Sequence, residues 1–156
     1  MVKRMKNEVA VLTLPAVNRV IRSIGFEEVI LSDRWTNGDE REGLVIVLES
    51  GWRVVLVDRC GRCCCEHRYM STDDDLDSLV GETLVGIRHG GCNEDEEDEY
   101  GGVVEVEFAL IQTDRDSVTI GTYNSHNGYY GGLDLALVVY DPDGNKVVDH
   151  VSFTGE

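Results

Sequence analysis

Residues 44–58, LVIVLESGWRVVLVD, decide the fold. Two short runs rich in Val, Leu and Ile, LVIVLE and RVVLVD, flank Ser50-Gly51-Trp52. Aliphatic runs of this length on either side of a glycine-bearing turn read as a β-hairpin. They are also far too short to cross a bilayer as helices.

Working outward, the same alternation of apolar runs and turn residues continues. Phe26 to Leu31 reads as a short strand, followed by the polar loop SDRWTNGDEREG. Ahead of it, Val17, Val20, Ile21 and Ile24 fall at helical spacing, with Asn18, Arg19, Arg22 and Ser23 on the other face. Pro15 suits the first turn and Gly25 the residue past the end, so a helix is expected at 15–24. A second short helix is expected at 72–80. Ser71 or Thr72 would cap it, Asp73 to Asp75 would favour the positive end of its dipole, and Leu76, Leu79 and Val80 would form its buried stripe. TLVGIR (83–88) reads as a strand, and GGCNEDEEDEYGG (90–102) as a solvated, mobile acidic loop without calcium-loop spacing. Val103 to Ile111 alternates, with Val104, Val106, Phe108 and Leu110 on one side and Glu105 and Glu107 on the other. Thr113 to Asp116 turns into Val118 to Tyr123, and LDLALVVY and KVVDHVSF flank the tight turn Asp141-Pro142-Asp143-Gly144. About eight strands and two short helices predict an α+β single domain, residues 1–156, built on antiparallel sheet.

The chain has 156 residues, 42% of them hydrophobic, enough for one core without disulfides or metal. Its formal charge of −16 comes from 30 acidic and 14 basic residues. An excess of that size opposes binding to duplex nucleic acid and to anionic membranes. The N-terminal MVKRMKNEVAVLTLP has only a six-residue apolar run and no small-residue cleavage pattern, so no signal peptide is expected. The five cysteines, Cys60, Cys63, Cys64, Cys65 and Cys92, are odd in number. Reduced thiols and a cytoplasmic location are the corresponding expectation.

Two segments could carry chemistry. The first, DRCGRCCCEHRY (58–69), holds Cys60 and Cys63 in C-x-x-C spacing, with His67 following and Cys92 or His89 as a fourth donor for structural zinc. The alternative is small thiols packed beneath a turn. Four arginines, Arg53, Arg59, Arg62 and Arg68, outnumber Asp58 and Glu66 across this region, a locally basic island in an acidic protein. Guanidinium forks suit phosphate and carboxylate oxygens, and they equally suit acidic neighbours in the same chain. The second segment, TYNSHNGYYGG (122–132), offers Asn124, His126 and Asn127 as polar groups and Tyr129 and Tyr130 as flat faces for a base. Its alternative reading is a hairpin whose Asn127-Gly128 forms a type I′ turn. Catalytic motifs are absent: no nucleophile elbow, P-loop, dinucleotide fingerprint or H-E-x-x-H occurs. A pairing of Cys64 or Cys65 with His67, His89 or His126 is the only nucleophile arrangement open.

Taken in order, CCEHRY, the acidic stretch ending in Leu79-Val80-Gly81, and NSHNGYY resemble a family of small proteins of phage and bacterial genomes. The likeness covers roughly residues 44–138, through Cys64, Cys65, Glu66, Leu79, Gly81, Asn127, Gly128, Tyr129 and Tyr130. It implies a phage or prophage context and no particular activity. The context that this resemblance implies leads to the expectation of a binding protein that sequesters a nucleotide-derived immune messenger without cleaving it. The ligand would meet Tyr129, Tyr130, Asn127, His126, Asn124, Arg62, Arg68, Glu66 and His67, without a cofactor and with a homo-oligomer as one possible assembly. The alternatives are an acidic antagonist of a host defence or nucleic-acid-binding protein, and a zinc- or thiol-dependent enzyme; the candidate structural-zinc ligands are Cys60, Cys63, His67 and Cys92.

Overall fold

The computed structural model describes residues 18–30, 40–60, 67–97, 102–126 and 133–152, with 40, 92–97 and 148–152 described by backbone alone. Among these residues are nine strands: β1 (Ile21–Ile30), β2 (Glu40–Leu48), β3 (Arg53–Asp58), β4 (His67–Ser71), β5 (Leu84–Glu97), β6 (Val103–Thr113), β7 (Ser117–His126), β8 (Leu135–Tyr140) and β9 (Lys146–Ser152). The only helical element among the described residues is a single 3-10 turn, Leu76–Leu79. Every ladder is antiparallel, in one sheet of order β1-β2-β3-β8-β9 and another of order β4-β7-β6-β5. The expected α+β class is therefore corrected to all-β, a two-sheet sandwich.

The sheets meet over one apolar core. Leu44, Ile46, Leu48, Val54, Leu56, Leu135, Leu137 and Val139 of the first sheet face Leu84, Ile87, Ala109, Ile111, Val118 and Ile120 of the second. Along one side the sheets are laced by backbone bonds. Ile21 N donates to Glu82 O at 2.8 Å and Gly81 N to Ile21 O at 2.8 Å, and Val20 bridges Thr83. The hairpin read from residues 44–58 is present as β2–β3. It closes by Gly51 N to Leu48 O at 2.9 Å, with Gly51 at φ +94°, a conformation that favours glycine. The β8–β9 turn has the same construction, with Gly144 N on Asp141 O at 2.9 Å and Gly144 at φ +87°.

Three expectations fail, each for a local physical reason. The helix at 15–24 gives way to strand from Ile21 onward, and residues 15–17 lie outside the described residues. A register shift between Ile21 and Ser23 puts Ile21 and Ile24 on the same core face, so a bulged strand reproduces helical i, i+3 spacing. The helix at 72–80 shrinks to the 3-10 turn, in which i and i+3 eclipse, so Leu76 and Leu79 point to the core while Val80 is exposed. Its cap is Asp75, which accepts from Asp77 N at 3.1 Å. The acidic segment at about 90–102 is strand through Glu97, paired as far as Glu97↔Val103. In β6 the expected alternation is present, with Glu107, Ala109 and Ile111 buried on the core face, and Phe108 and Leu110 partly buried on the outer face beside a buried Val106.

Candidate functional site

The two segments singled out by the sequence become paired strands. HRYMS forms β4 and TYNSH ends β7, with His67↔Ser125, Arg68↔Asn124, Tyr69↔Tyr123 and Met70↔Thr122 in register. Alternation then sends Arg68, Met70, Thr122, Asn124 and His126 inward, and His67, Tyr69, Tyr123 and Ser125 outward.

On the inner side, the apolar core turns polar at one level across several strands. Val54 and Leu56 are succeeded by Asp58, Ile111 and Ala109 by Glu107 and Glu105, Ile87 by His89, and Val118 and Ile120 by Thr122, Asn124 and His126. Charges this deep are costly unless paired. Arg68 Nη1 donates to Asp58 Oδ2 at 2.9 Å, with the two side chains 7% and 9% exposed. His126 Nε2 meets Glu105 Oε1 at 3.0 Å, and His89 Nε2 meets Glu107 Oε1 at 3.0 Å. Gly91 N donates to His89 Nδ1 at 3.1 Å, which fixes the tautomer carrying its proton on Nε2, so that nitrogen donates to Glu107. Burial pushes the Glu107 carboxyl above its ordinary value; the His89 bond opposes this, and Asp58 and Asp134 add to it.

Asp58 is the tie point of this layer. Its Oδ1 accepts Cys60 N and Asp134 N, both at 3.0 Å, while Oδ2 holds Arg68. Arg59 N in turn donates to Asp134 O at 2.9 Å, and Arg41 Nη1 to Cys60 O at 2.7 Å. The topology explains why this matters. β3 and β4 lie in different sheets, and so do β7 and β8. The chain after β3 and the chain before β8 are therefore both crossings from sheet to sheet, and Asp58 joins them. The hairpin reading of TYNSHNGYYGG is thereby corrected: the strands it connects do not pair. A small cavity of about 30 Å³ lies here, lined by Arg41, Glu42, Asp58, Arg68, Tyr69, Met70 and Thr122. It has room for one water-sized guest and none for a nucleotide.

The accessible side is the outer face. Tyr69 and Tyr123 stack with ring centroids 4.9 Å apart and planes 9° apart, and His67 lies against Tyr69 at 4.9 Å. Tyr123 reaches over Gly121, where a Cβ would come within 2.7 Å of its ring, so the absence of a side chain at 121 is what lets the ring lie down. Beyond the rings, β4 ends at Ser71, and side chains continue its ladder. Thr72 Oγ1 donates to Thr119 O at 2.6 Å and Asp74 Oδ2 accepts Thr119 N at 2.8 Å. An open pocket of about 230 Å³ results, lined by Ser71, Thr72, Asp73, Asp74, Phe108, Thr119, Gly121 and Tyr123.

Of the residues expected at a site, His67 is exposed on the ring face, while Arg68, Asn124 and His126 are turned into the interior. Tyr129, Tyr130, Asn127, Arg62, Glu66 and the cysteines 63–65 lie outside the described residues, as does the side chain of Cys92. Cys60 is half-buried, and both ring nitrogens of His89 are already engaged. Among the described residues no group of three or more His, Cys, Asp or Glu is placed to hold a metal ion. Sequence reading missed Asp58, Asp134, Glu105 and Glu107, whose partners are remote in sequence. It also missed Tyr69 and Tyr123, whose outward positions on β4 and β7 follow only once those strands are paired. Residues 14–136 match the model of a family described as a domain of unknown function, DUF7448. No curated protein and no solved structure matches the chain.

Proposed function

The chain belongs to the DUF7448 family, and on its geometry we propose that it is a non-catalytic binding protein that sequesters a nucleotide-derived messenger, in the manner of a phage anti-defence sponge. The observation that carries this reading is the His67–Tyr69–Tyr123 row on an open sheet face, where flat rings stand ready to stack on a base. The likeness to proteins of phage and bacterial genomes supplies the biological context. Arg68, expected to meet phosphate, is engaged by Asp58 inside the sandwich, so the phosphate end of a ligand falls to His67 and, from the sequence, to Arg62. Thermal melting against a panel of cyclic mono- and dinucleotides is the test. One or more should give a saturable upward shift that Tyr123→Ala removes. No shift with any member of the panel would end the reading.

A second reading is favoured by one observation: Asp73, Asp74, Asp75 and Asp77 are all exposed beside the pocket. A concentrated acidic edge suits a basic patch on a host protein. In that case neutralising these aspartates abolishes capture of the partner while Tyr123→Ala leaves it intact.

A further inference from the structure

The accessible face is polar in a directional sense. His67 stands at one end, the stacked tyrosines follow, and the pocket with Asp73 and Asp74 closes the other end. From residue 67 to residue 71 the strand advances roughly 13 Å at about 3.3 Å per residue. The 230 Å³ pocket falls below the roughly 300–1,000 Å³ that encloses a whole drug-sized ligand, so it suits one ring system with the remainder lying along the face.

The carboxylates exclude phosphate from this pocket and ask for hydrogen-bond donors. Asp74 already gives one oxygen to Thr119 N, whereas Asp73 is exposed at the rim. A carboxylate presents two acceptor oxygens side by side. Among the common bases only guanine offers two adjacent donors on one edge, its N1–H and its N2 amino group. Adenine and cytosine place a ring acceptor beside their amino group, and that nitrogen would face the carboxylate unfavourably. An alkylammonium group also suits the acidic end and a tyrosine face, so a polyamine is the competitor that the test must include.

Resting on the nucleotide reading above, we infer that the pocket bounded by Tyr123, Phe108 and Asp73 is selective for a guanine base, with the ligand's phosphate directed toward His67. The experiment is titration calorimetry with 5′-GMP, 5′-AMP and spermidine, using the wild-type chain and Asp73→Asn. GMP should bind about tenfold or more tighter than AMP, as expected for a two-point hydrogen-bonded match. Asp73→Asn should reverse that preference, weakening GMP and tightening AMP, because an amide offers the one donor and one acceptor that match adenine, and circular dichroism should show its fold unaltered. Equal binding of GMP and AMP overturns the guanine assignment and leaves the nucleotide reading standing. Binding of spermidine with neither nucleotide bound overturns both.

Discussion

The Asp58–Arg68 pair gives the most direct test of how the polar end of the sandwich is held. At 2.9 Å and an effective dielectric of about 20, Coulomb attraction between the two charges is roughly 6 kcal/mol. Desolvation of both groups offsets much of it, and breaking such a pair from one side costs about 3–5 kcal/mol because the surviving charge stays buried. Arg68→Met leaves the carboxylate uncompensated. Asp58→Asn keeps an oxygen for Cys60 N and Asp134 N but sets an amide against the guanidinium. Each single variant should therefore lose about 3–5 kcal/mol, a large share of the roughly 5–15 kcal/mol that domains possess. In urea, with a slope of about 2 kcal/mol per molar, that is a midpoint lower by about 2 M. The double variant removes both charges and should cost clearly less than the two singles together, giving a coupling of about 3 kcal/mol. Tryptophan fluorescence during urea unfolding provides the assay. Additive losses, or an Arg68→Met loss under about 1 kcal/mol, would refute the assignment of a buried, mutually dependent pair.

Two further outcomes follow from the same structure. Glu107 is held above its ordinary carboxyl range chiefly by burial, so its contribution is fully present below the unfolded value of about 4.3 and is lost as pH rises through the folded value; Glu107→Gln should therefore gain stability relative to wild type as pH rises above that unfolded value, and a relative loss on the same rise in urea titrations would contradict it. Gly121→Ala brings a Cβ within 2.7 Å of the Tyr123 ring, which must swing away from Tyr69; a loss of about 0.5–1.5 kcal/mol with a changed near-ultraviolet tyrosine signal is expected, and an unchanged signal would show that the stack does not depend on that glycine.

Strands β2, β3 and β8 of the first sheet were legible because LVIVL, RVVLVD and LALVVY carry long aliphatic runs, and their turns carry glycine where a positive φ is needed. What escaped the sequence was whatever depends on partners far along the chain. The alternation of β6 correctly separates two faces, but which face is buried is set by His89 and His126, 18 and 21 residues away from their glutamates. Local periodicity ranks Glu107 as outward, and only the paired strand reverses that. β1 was hidden for a different reason, since a bulge gives a strand the three-residue spacing of a helix. The short β4 has no aliphatic run at all, and HRYMS becomes recognisable as a strand only beside β7. For the candidate site, the outward placement of His67 and the inward burial of Arg68, Asn124 and His126 both follow from the pairing of β4 with β7, which local pattern does not reveal.

Asp58 has a consequence for how this fold can vary. Cys60 N and Asp134 N, at the start of one crossing and the end of the other, rest on the same carboxylate oxygen. The separation of those two anchors is then independent of the length or composition of residues 61–66 and 127–132. Either crossing can be lengthened, shortened or exchanged for another sequence while its point of attachment stays where it is. A chain built this way resembles a socket whose two anchors are held by one carboxylate, and replacing the sequence of either crossing should leave Asp58, Arg68 and the paired β4 and β7 in place.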